Sequence, residues 1–302
     1  MKKPLLIPML LAAAVFTGCP HTINTTQESK LTDKTYSIDG SSFVMKAIHS
    51  VRDGMLGDDN QSNNKKHTVS LSAYRIGETE VTQELWKKVM NSNPSYFSDK
   101  PFEGETQGKR PVEKVTWYEC IAFCNELTKK IDGLEEANCV YYSDSAFKKI
   151  YTKTDAKSNT RVFQNIDKKG FRLPTEAEWE WAAKGDAKTK WAGTDKPLDL
   201  KNYAWYTTNS KNITHEVRKK EPNGYGLYDM SGNVEEWVWD GYNEKLPENG
   251  EQDPIGDLYS QTRTVRGGHI MKASEECECA HRHDSAPGTK GYLRGFRLAR
   301  RP

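Results

Sequence analysis

Two short strand-like runs near the C-terminus constrain this chain more than any other feature. The first, Arg263-Thr-Val-Arg-Gly-Gly268, places Thr264 and Val265 ahead of two glycines, which allow positive φ or a close backbone approach. The second, Gly295-Phe-Arg-Leu-Ala299, alternates, with Phe296 and Leu298 on one face and Arg297 on the other. Between them, His269 to Arg294 sustains neither a helical nor a strand period and mixes His, Glu, Cys, Asp, Thr, Lys and Tyr. An irregular insert pinned between rigid strands is where a scaffold carries binding or catalytic side chains; a solvated surface loop is the plainer reading of the same pattern.

Upstream, strand and helix signals alternate. Tyr36, Ile38, Phe43 and Met45 read as strands, followed by a polar excursion from Asp53 to Lys66. A strand resumes over His67 to Tyr74, where Val69, Leu71 and Ala73 alternate with polar residues. Thr82 N-caps a helix whose Leu85, Trp86, Val89 and Met90 form one apolar stripe, and Asn93-Pro-Ser-Tyr-Phe97 ends it. Thr116 caps a second helix over Trp117 to Lys130, with Ile121, Cys124 and Leu127 on its buried side. The clearest local signal runs from Phe171 to Ala183: Thr175 and Glu178 form a capping box, which sends Trp179, Ala182 and Ala183 to the core. A block from Asn223 to Asp240 turns on its glycines and alternates Trp237 and Trp239 around Val238, as a strand would.

Several of these stretches stand in a recognisable order: Glu80-Val-Thr-Gln83, Asn93-Pro-Ser-Tyr-Phe97, Pro111-Val-Glu-Lys-Val-Thr-Trp117, Arg172-Leu-Pro-Thr-Glu-Ala-Glu-Trp-Glu180 and Gly232-Asn-Val-Glu-Glu-Trp237. Arg266-Gly-Gly268, Cys277, Arg282, Pro287 and Gly295-Phe-Arg297 complete the set. From about Tyr36 to Ala299 the chain thus resembles the formylglycine-generating-enzyme (sulfatase-modifying factor) family, a variant of the C-type lectin fold. More narrowly, it is similar to the lectin-fold variable proteins of diversity-generating retroelements, of the treponeme variable lipoprotein type. The resemblance implies an α+β fold, irregular, with a few helices around small antiparallel sheets. It fixes fold more firmly than activity, because one scaffold hosts several functions.

The N-terminus carries an address instead of fold. Lys2-Lys3 precede an apolar run from Leu5 to Phe16 and then Thr17-Gly18-Cys19, the form of a bacterial lipoprotein signal that ends at a lipidated Cys19. Residues 20–34, polar and poor in apolar groups, read as a flexible tether, and 35–302 as a single domain with its ligand-binding segment at about 266–299. The expected location is the outer surface of the bacterial envelope. Basic residues number 44 and acidic residues 42, so no global charge argues for a nucleic-acid partner. Beyond Cys19 the cysteines are Cys120, Cys124, Cys139, Cys277 and Cys279, an odd set in an exported chain. Cys120 and Cys124, one helical turn apart, suit core packing better than a bridge.

The family's oxidase chemistry requires cysteines at the fourth and ninth positions after the double glycine, where a thiol pair gathers copper(I). Here those positions hold Lys272 and Cys277, so the oxidase site is broken and no catalytic residue is expected. Cys277, Cys279, His281 and His283 fall at every second position; in an extended chain the outer two stand roughly 20 Å apart, too far for one tetrahedral zinc, so no metal site is expected there. Asn233 and Glu236 resemble a calcium site of some relatives, against which a capping or turn role is favoured. What remains is a division within the insert. Arg266, Gly267, Gly268, Cys277, Ala280, Arg282, Pro287, Gly295, Phe296 and Arg297 match family framework positions. The intervening His269, Ile270, Met271, Lys272, Glu275, Glu276, Glu278, His281, His283, Asp284, Ser285, Thr289, Lys290, Tyr292 and Leu293 do not, and are expected to point outward as a variable ligand-binding surface. The resulting expectation is a non-catalytic, lipid-anchored monomer that binds a protein or glycan on a host or neighbouring bacterial cell, diversified by a retroelement and needing no cofactor. The alternatives are a copper-dependent cysteine oxidase and a fixed lectin-like envelope adaptor.

Overall fold

The computed structural model describes residues 31–187, 189–246 and 250–302. The signal segment, Cys19 and the tether as far as residue 30 lie outside the described residues. In chain order the strands are β1 (Lys34–Ile38), β2 (Ser41–Ile48), β3 (Val51–Leu56), β4 (His67–Leu71), β5 (Tyr74–Gly77), β6 (Tyr141–Tyr142) and β7 (Phe163–Gln164). They continue as β8 (Glu235–Gly241), β9 (Glu251–Gln252), β10 (Arg263–Arg266), β11 (His283–Ser285), β12 (Arg294–Phe296) and β13 (Ala299–Arg300). Small sheets form in the orders β1-β2-β5-β13, β11-β10-β8-β12, β3-β4-β9 and β6-β7. Two pairings are parallel, β12 on β8 and β9 on β4, and the rest are antiparallel. The architecture is therefore α+β, with small sheets and short helices, as the sequence implied.

Local capping explains where the helices begin. Thr82, Thr116 and Thr175 each accept a hydrogen bond from a backbone N–H three residues on, at the starts of the Gln83–Met90, Trp117–Lys130 and Glu176–Lys184 helices. Thr116 with Glu119, and Thr175 with Glu178, close full capping boxes. The Gln83–Met90 helix stops earlier than Asn93-Pro, because Asn91 takes the left-handed conformation at φ 61° and caps it.

Two cores meet across β8. Trp237 and Trp239 pack into one with Trp86, Phe123 and Phe296, while Val238 faces a second with Trp179, Ala182 and Met230. Ring centroids 5.0 Å apart for Trp86 and Phe123, and 5.3 Å for Phe123 and Phe296, tie the Gln83–Met90 and Trp117–Lys130 helices to β12. The indole N–H groups of Trp117 and Trp237 donate to Val238 O and Val115 O, so burial leaves those two donors satisfied.

Four boundaries differ from the sequence reading. The C-terminal run is two strands in different sheets: Phe296 ends β12, and the chain crosses at Arg297-Leu298 to pair with β5. The run into Tyr74 breaks at Ser72-Ala73, where Asp253 takes both the amide and the hydroxyl of Ser72, so Ala73 leaves the alternation. Part of the polar excursion is β3, and Asn64 within it is fully buried. Leu31 is buried and Asp33 pairs with Lys46, so the last residues of the expected tether already belong to the fold. No helix among the described residues is long and apolar enough to cross a membrane.

Candidate functional site

The insert is held by arginines that reach carboxylates on two other elements. Glu176 and Glu180 lie one turn apart on the same helical face, and Glu178 faces the other way. Glu178 receives Arg172 at 2.6 Å, bracing the helix start. Glu176 receives Arg282 at 2.5 and 2.8 Å, and Glu180 receives Arg266 at 2.5 Å. Arg266 also donates to the carbonyls of Cys279, at 2.9 Å, and His281, at 2.7 Å, so a single side chain fixes the path of the middle of the insert. Asn64 braces the same place, donating to Ala280 O and Glu180 at 2.8 Å each. On β8, Glu235 takes Arg294 and Glu236 takes Arg297. All four of these insert and clamp arginines are buried. A buried charge survives only with its partner, so each pair locks one register of the loop.

The side chains between these anchors divide by exposure. Met271, Glu275, His283, Thr289, Lys290 and Tyr292 are exposed, and Lys272, Glu276, His281, Asp284, Ser285 and Leu293 are half-buried. Three positions depart from the outward expectation. Ile270 has 0 % exposure, its amide donating to Asn233 O and its carbonyl accepting from the Ser210 hydroxyl. His269 is buried, with Nδ1 accepting from the Met271 amide. Glu278 is buried and paired with Lys190 at 2.8 Å, yet it lines a recess of about 500 Å³ with Trp181 and Lys184. The insert is also less irregular than expected: Ser274–Cys277 is a 3-10 turn, and His283–Ser285 is the edge strand β11, which carries His283, Asp284 and Ser285 along one backbone ladder. Lys272 and Glu276 form an ion pair across the turn.

The cysteine chemistry implied by the enzyme family does not fit these residues. Lys272 stands where a thiolate is needed, engaged with Glu276, and burial pushes the Cys277 thiol up to about 12. Copper(I) would need a thiolate pair, so no copper step can be drawn here. Cys277 packs with Trp191, Leu200 and Tyr206 while Cys279 packs in the Trp179 core, so the two point into different interiors. Together with His281 and exposed His283 they form no cluster, and no group of three or more metal-ligating side chains is found among the described residues. Calcium at Asn233 and Glu236 does not fit either. Both Glu236 oxygens are taken by Arg297 and the Trp179 indole N–H, and Asn233 Oδ1 accepts from the His215 amide, leaving too few oxygens for an ion that takes 6–8.

Over residues 21–302 the sequence matches the Sulfatase-modifying factor enzyme 1-like domain. The chain belongs to that family. Within it, Treponema denticola variable protein 1 superposes with a TM-score of 0.81 at 48% identity, covering 89% of this chain and 99% of that one. The chaperone protein LppX of Paenibacillus barcinonensis is 32% identical over 275 residues, 82% of this chain and 85% of its own length. Formylglycine-generating enzyme of Mus musculus is also 32% identical, but over 146 residues, 43% of this chain, and this chain spans only 39% of that enzyme. The likeness to the enzyme is partial, whereas the likeness to the variable protein spans nearly its whole length. This sulfatase-modifying-factor-like chain therefore groups with a variable protein in sequence and fold.

Some neighbours of the insert carried no functional signal in the sequence. Tyr96, 61% exposed, meets Tyr292 with ring centroids 5.3 Å apart. It lies in Asn93-Pro-Ser-Tyr-Phe97, which reads as a helix stop and a family framework stretch and not as part of a site; an aromatic side chain left in solvent is the available hint. Glu119 pairs with Lys290 at 2.8 Å, and Gln61 donates to Glu278 at 3.0 Å, contacts that no local pattern announces.

His269 gives the site a measurable pH signature. Burial, with Lys272 and Arg294 nearby, lowers its pKa to about 4. A folded pKa below the unfolded value of about 6.5 favours the neutral ring, so this contribution is full above about pH 6.5 and is lost as pH falls towards 4. Between pH 7 and 5 the protein should lose about 1–2 kcal/mol more stability than His269→Asn, which keeps an acceptor for the Met271 amide. Urea unfolding of both proteins at the two pH values checks this; parallel losses would refute it.

Proposed function

We propose that this chain is an exported, lipid-anchored, non-catalytic receptor whose segment between Arg266 and Ala299 binds a protein or glycan ligand and is diversified by a retroelement. One observation carries the reading: framework and intervening positions separate by burial. Arg266, Gly267, Gly268, Cys277, Ala280, Arg282, Gly295, Phe296 and Arg297 are buried, Pro287 is half-buried, and twelve of the fifteen intervening side chains reach solvent. Since buried arginines and glycines hold the backbone, the outward side chains can change without unfolding it, and recognition varies over a pre-organised frame. Anchoring through Cys19 would hold this surface away from the membrane.

The deciding experiment is to sequence the locus from many cells of one population and search beside it for an imperfect copy of its 3′ end. Substitutions confined to codons 269–294, at adenines of that copy, are expected; an invariant segment without a copy would leave a fixed binder instead. On the protein, Lys272→Ala, Glu276→Ala and His283→Ala together should leave the thermal midpoint within about 2 °C, because the one ion pair they remove is partly exposed and such pairs contribute about 0–1 kcal/mol. Unfolding by this triple change would contradict an insert held by its frame.

A further inference from the structure

None of the intervening insert positions lines a cavity of about 350 Å³, although Ser285 on β11 pairs with Arg263 of its wall. Its walls come from the first turn of the Trp117–Lys130 helix, from β7, β8 and the first residue of β10, and from the loops around them. Trp117, Tyr118, Phe163 and Trp239 supply aromatic surface, and Gln164 and Arg263 supply polar groups. Size and lining are those of a small-molecule site, in which a few polar groups among apolar walls fix orientation.

Unmet donors set this cavity apart. Arg263 Nε, Trp239 Nε1 and Gln164 Nε2 are all buried and have no hydrogen-bond partner. Native folds seldom leave such donors unmet, and here three belong to side chains lining one cavity. Among the described residues Arg263, like the buried Arg110 and Arg300, also stands without an ion pair. Arg172, Arg266, Arg282, Arg294 and Arg297 each face a carboxylate, whereas Arg263 forms no ion pair among the described residues. Its guanidinium carbon lies 4.4 Å from the Trp117 ring centroid and 5.9 Å from that of Trp239, and Nη1 reaches Trp239 O only at 3.4 Å. Asp240 and Asp257 act on it through space without pairing. The aromatic faces orient the guanidinium but supply no acceptor.

We propose that this cavity binds a small organic carboxylate with a planar apolar body, independently of the variable surface. The carboxylate would take the planar fork of Arg263 together with the Trp239 and Gln164 N–H groups, and the body would lie against Trp117, Tyr118 and Phe163. A single negative charge matches one guanidinium. The other cation lining the cavity, Arg161, already lies over the rings of Phe163, at 5.1 Å, and Tyr259, at 5.8 Å.

The test titrates the full chain with phenylacetate, indole-3-acetate, neutral phenylacetamide and inorganic phosphate, followed by tryptophan fluorescence and by the indole N–H resonances in a nitrogen-15 spectrum. Saturable binding of the two arylacetates is expected, with a downfield shift at Trp239, and phenylacetamide and phosphate should bind at least about tenfold more weakly. Arg263→Met should weaken phenylacetate by about tenfold or more while leaving the urea midpoint nearly unchanged, since Arg263 is half-buried and has no carboxylate partner to strand. The Lys272→Ala, Glu276→Ala, His283→Ala protein should bind phenylacetate as the parent does, which separates this cavity from the variable surface. No saturable arylacetate binding, equal binding of phenylacetamide, tighter binding of phosphate, or an Arg263→Met protein that binds normally would each overturn the proposal. Should Arg263→Met not fold, the acid-against-amide comparison on the parent chain decides alone.

Discussion

Arg297→Met should destabilise the protein by about 3–5 kcal/mol, enough to unfold much of a marginally stable domain. Arg297 is fully buried and contacts both oxygens of Glu236 at 2.7 to 3.0 Å. It also donates to Gly77 O and Tyr228 O at 3.0 Å each, so it ties the crossing between β12 and β13 to both neighbouring elements. Two further buried carboxyls, Glu80 and Asp229, sense its charge; burial raises both, Asp229 to about 6, and Arg297 opposes that rise. Removing the cation leaves Glu236 buried beside these groups with only the Trp179 indole N–H to compensate it. Arg297→Met with Glu236→Gln should therefore recover a large part of the loss, because the stranded carboxylate is the main cost and the two substitutions are strongly coupled. Equilibrium urea unfolding of the parent, both single variants and the double variant measures the coupling. A single-variant cost under about 1 kcal/mol would mean that this pair is not the anchor its burial indicates.

How much of this could be read beforehand follows from how local each cause is. Thr82, Thr116 and Thr175 were legible as caps because a cap and the amide it satisfies lie three residues apart. The alternation of Trp237 and Trp239 around Val238 announced a strand, but not that its two faces would meet separate cores, since the second core is assembled from Trp179, Ala182 and Met230. The return of β13 to β5 was hidden for the same reason: residues 299 and 76 pair across most of the chain, and nothing in Leu298-Ala299 specifies that partner. At the site, resemblance marked Arg266 and Arg282 as framework without naming what they hold. The usable clue was the one-turn spacing of Glu176 and Glu180, which offers two carboxylates on one helical face. Ile270 counts as outward-facing in the sequence only because His269-Ile270 departs from the family's framework; its burial depends on Asn233 and Ser210, reached only through the fold. Arg263 shows the limit most plainly. A paired and an unpaired arginine look identical in sequence.

Gly268→Ala is expected to cost about 2–4 kcal/mol and to displace the Ser274–Cys277 turn with it. Gly268 sits at φ +68°, where an L side chain is strained, and an added Cβ would lie 2.6 Å from Cys277 Sγ and 2.6 Å from Glu276 O. One of those atoms is backbone, so rotating a side chain cannot relieve both contacts. The 3-10 turn Ser274–Cys277 would have to move away, taking Lys272 and Glu276 from their present positions. Adding Cys277→Ala removes the sulfur contact but neither the carbonyl clash nor the positive φ, so it should restore less than half of the lost stability. Cys277→Ala alone should behave as a core truncation, with a cost of order 1 kcal/mol for the cavity it leaves among Trp191, Leu200 and Tyr206. Thermal and urea unfolding of the three variants distinguishes these outcomes. A neutral Gly268→Ala would show that the arginines alone hold the turn. The expected pattern instead assigns the double glycine and Cys277 a shared role: the absence of a Cβ at Gly268 leaves the room that the buried Cys277 sulfur and the Glu276 carbonyl occupy, so the turn can approach closely enough to be locked.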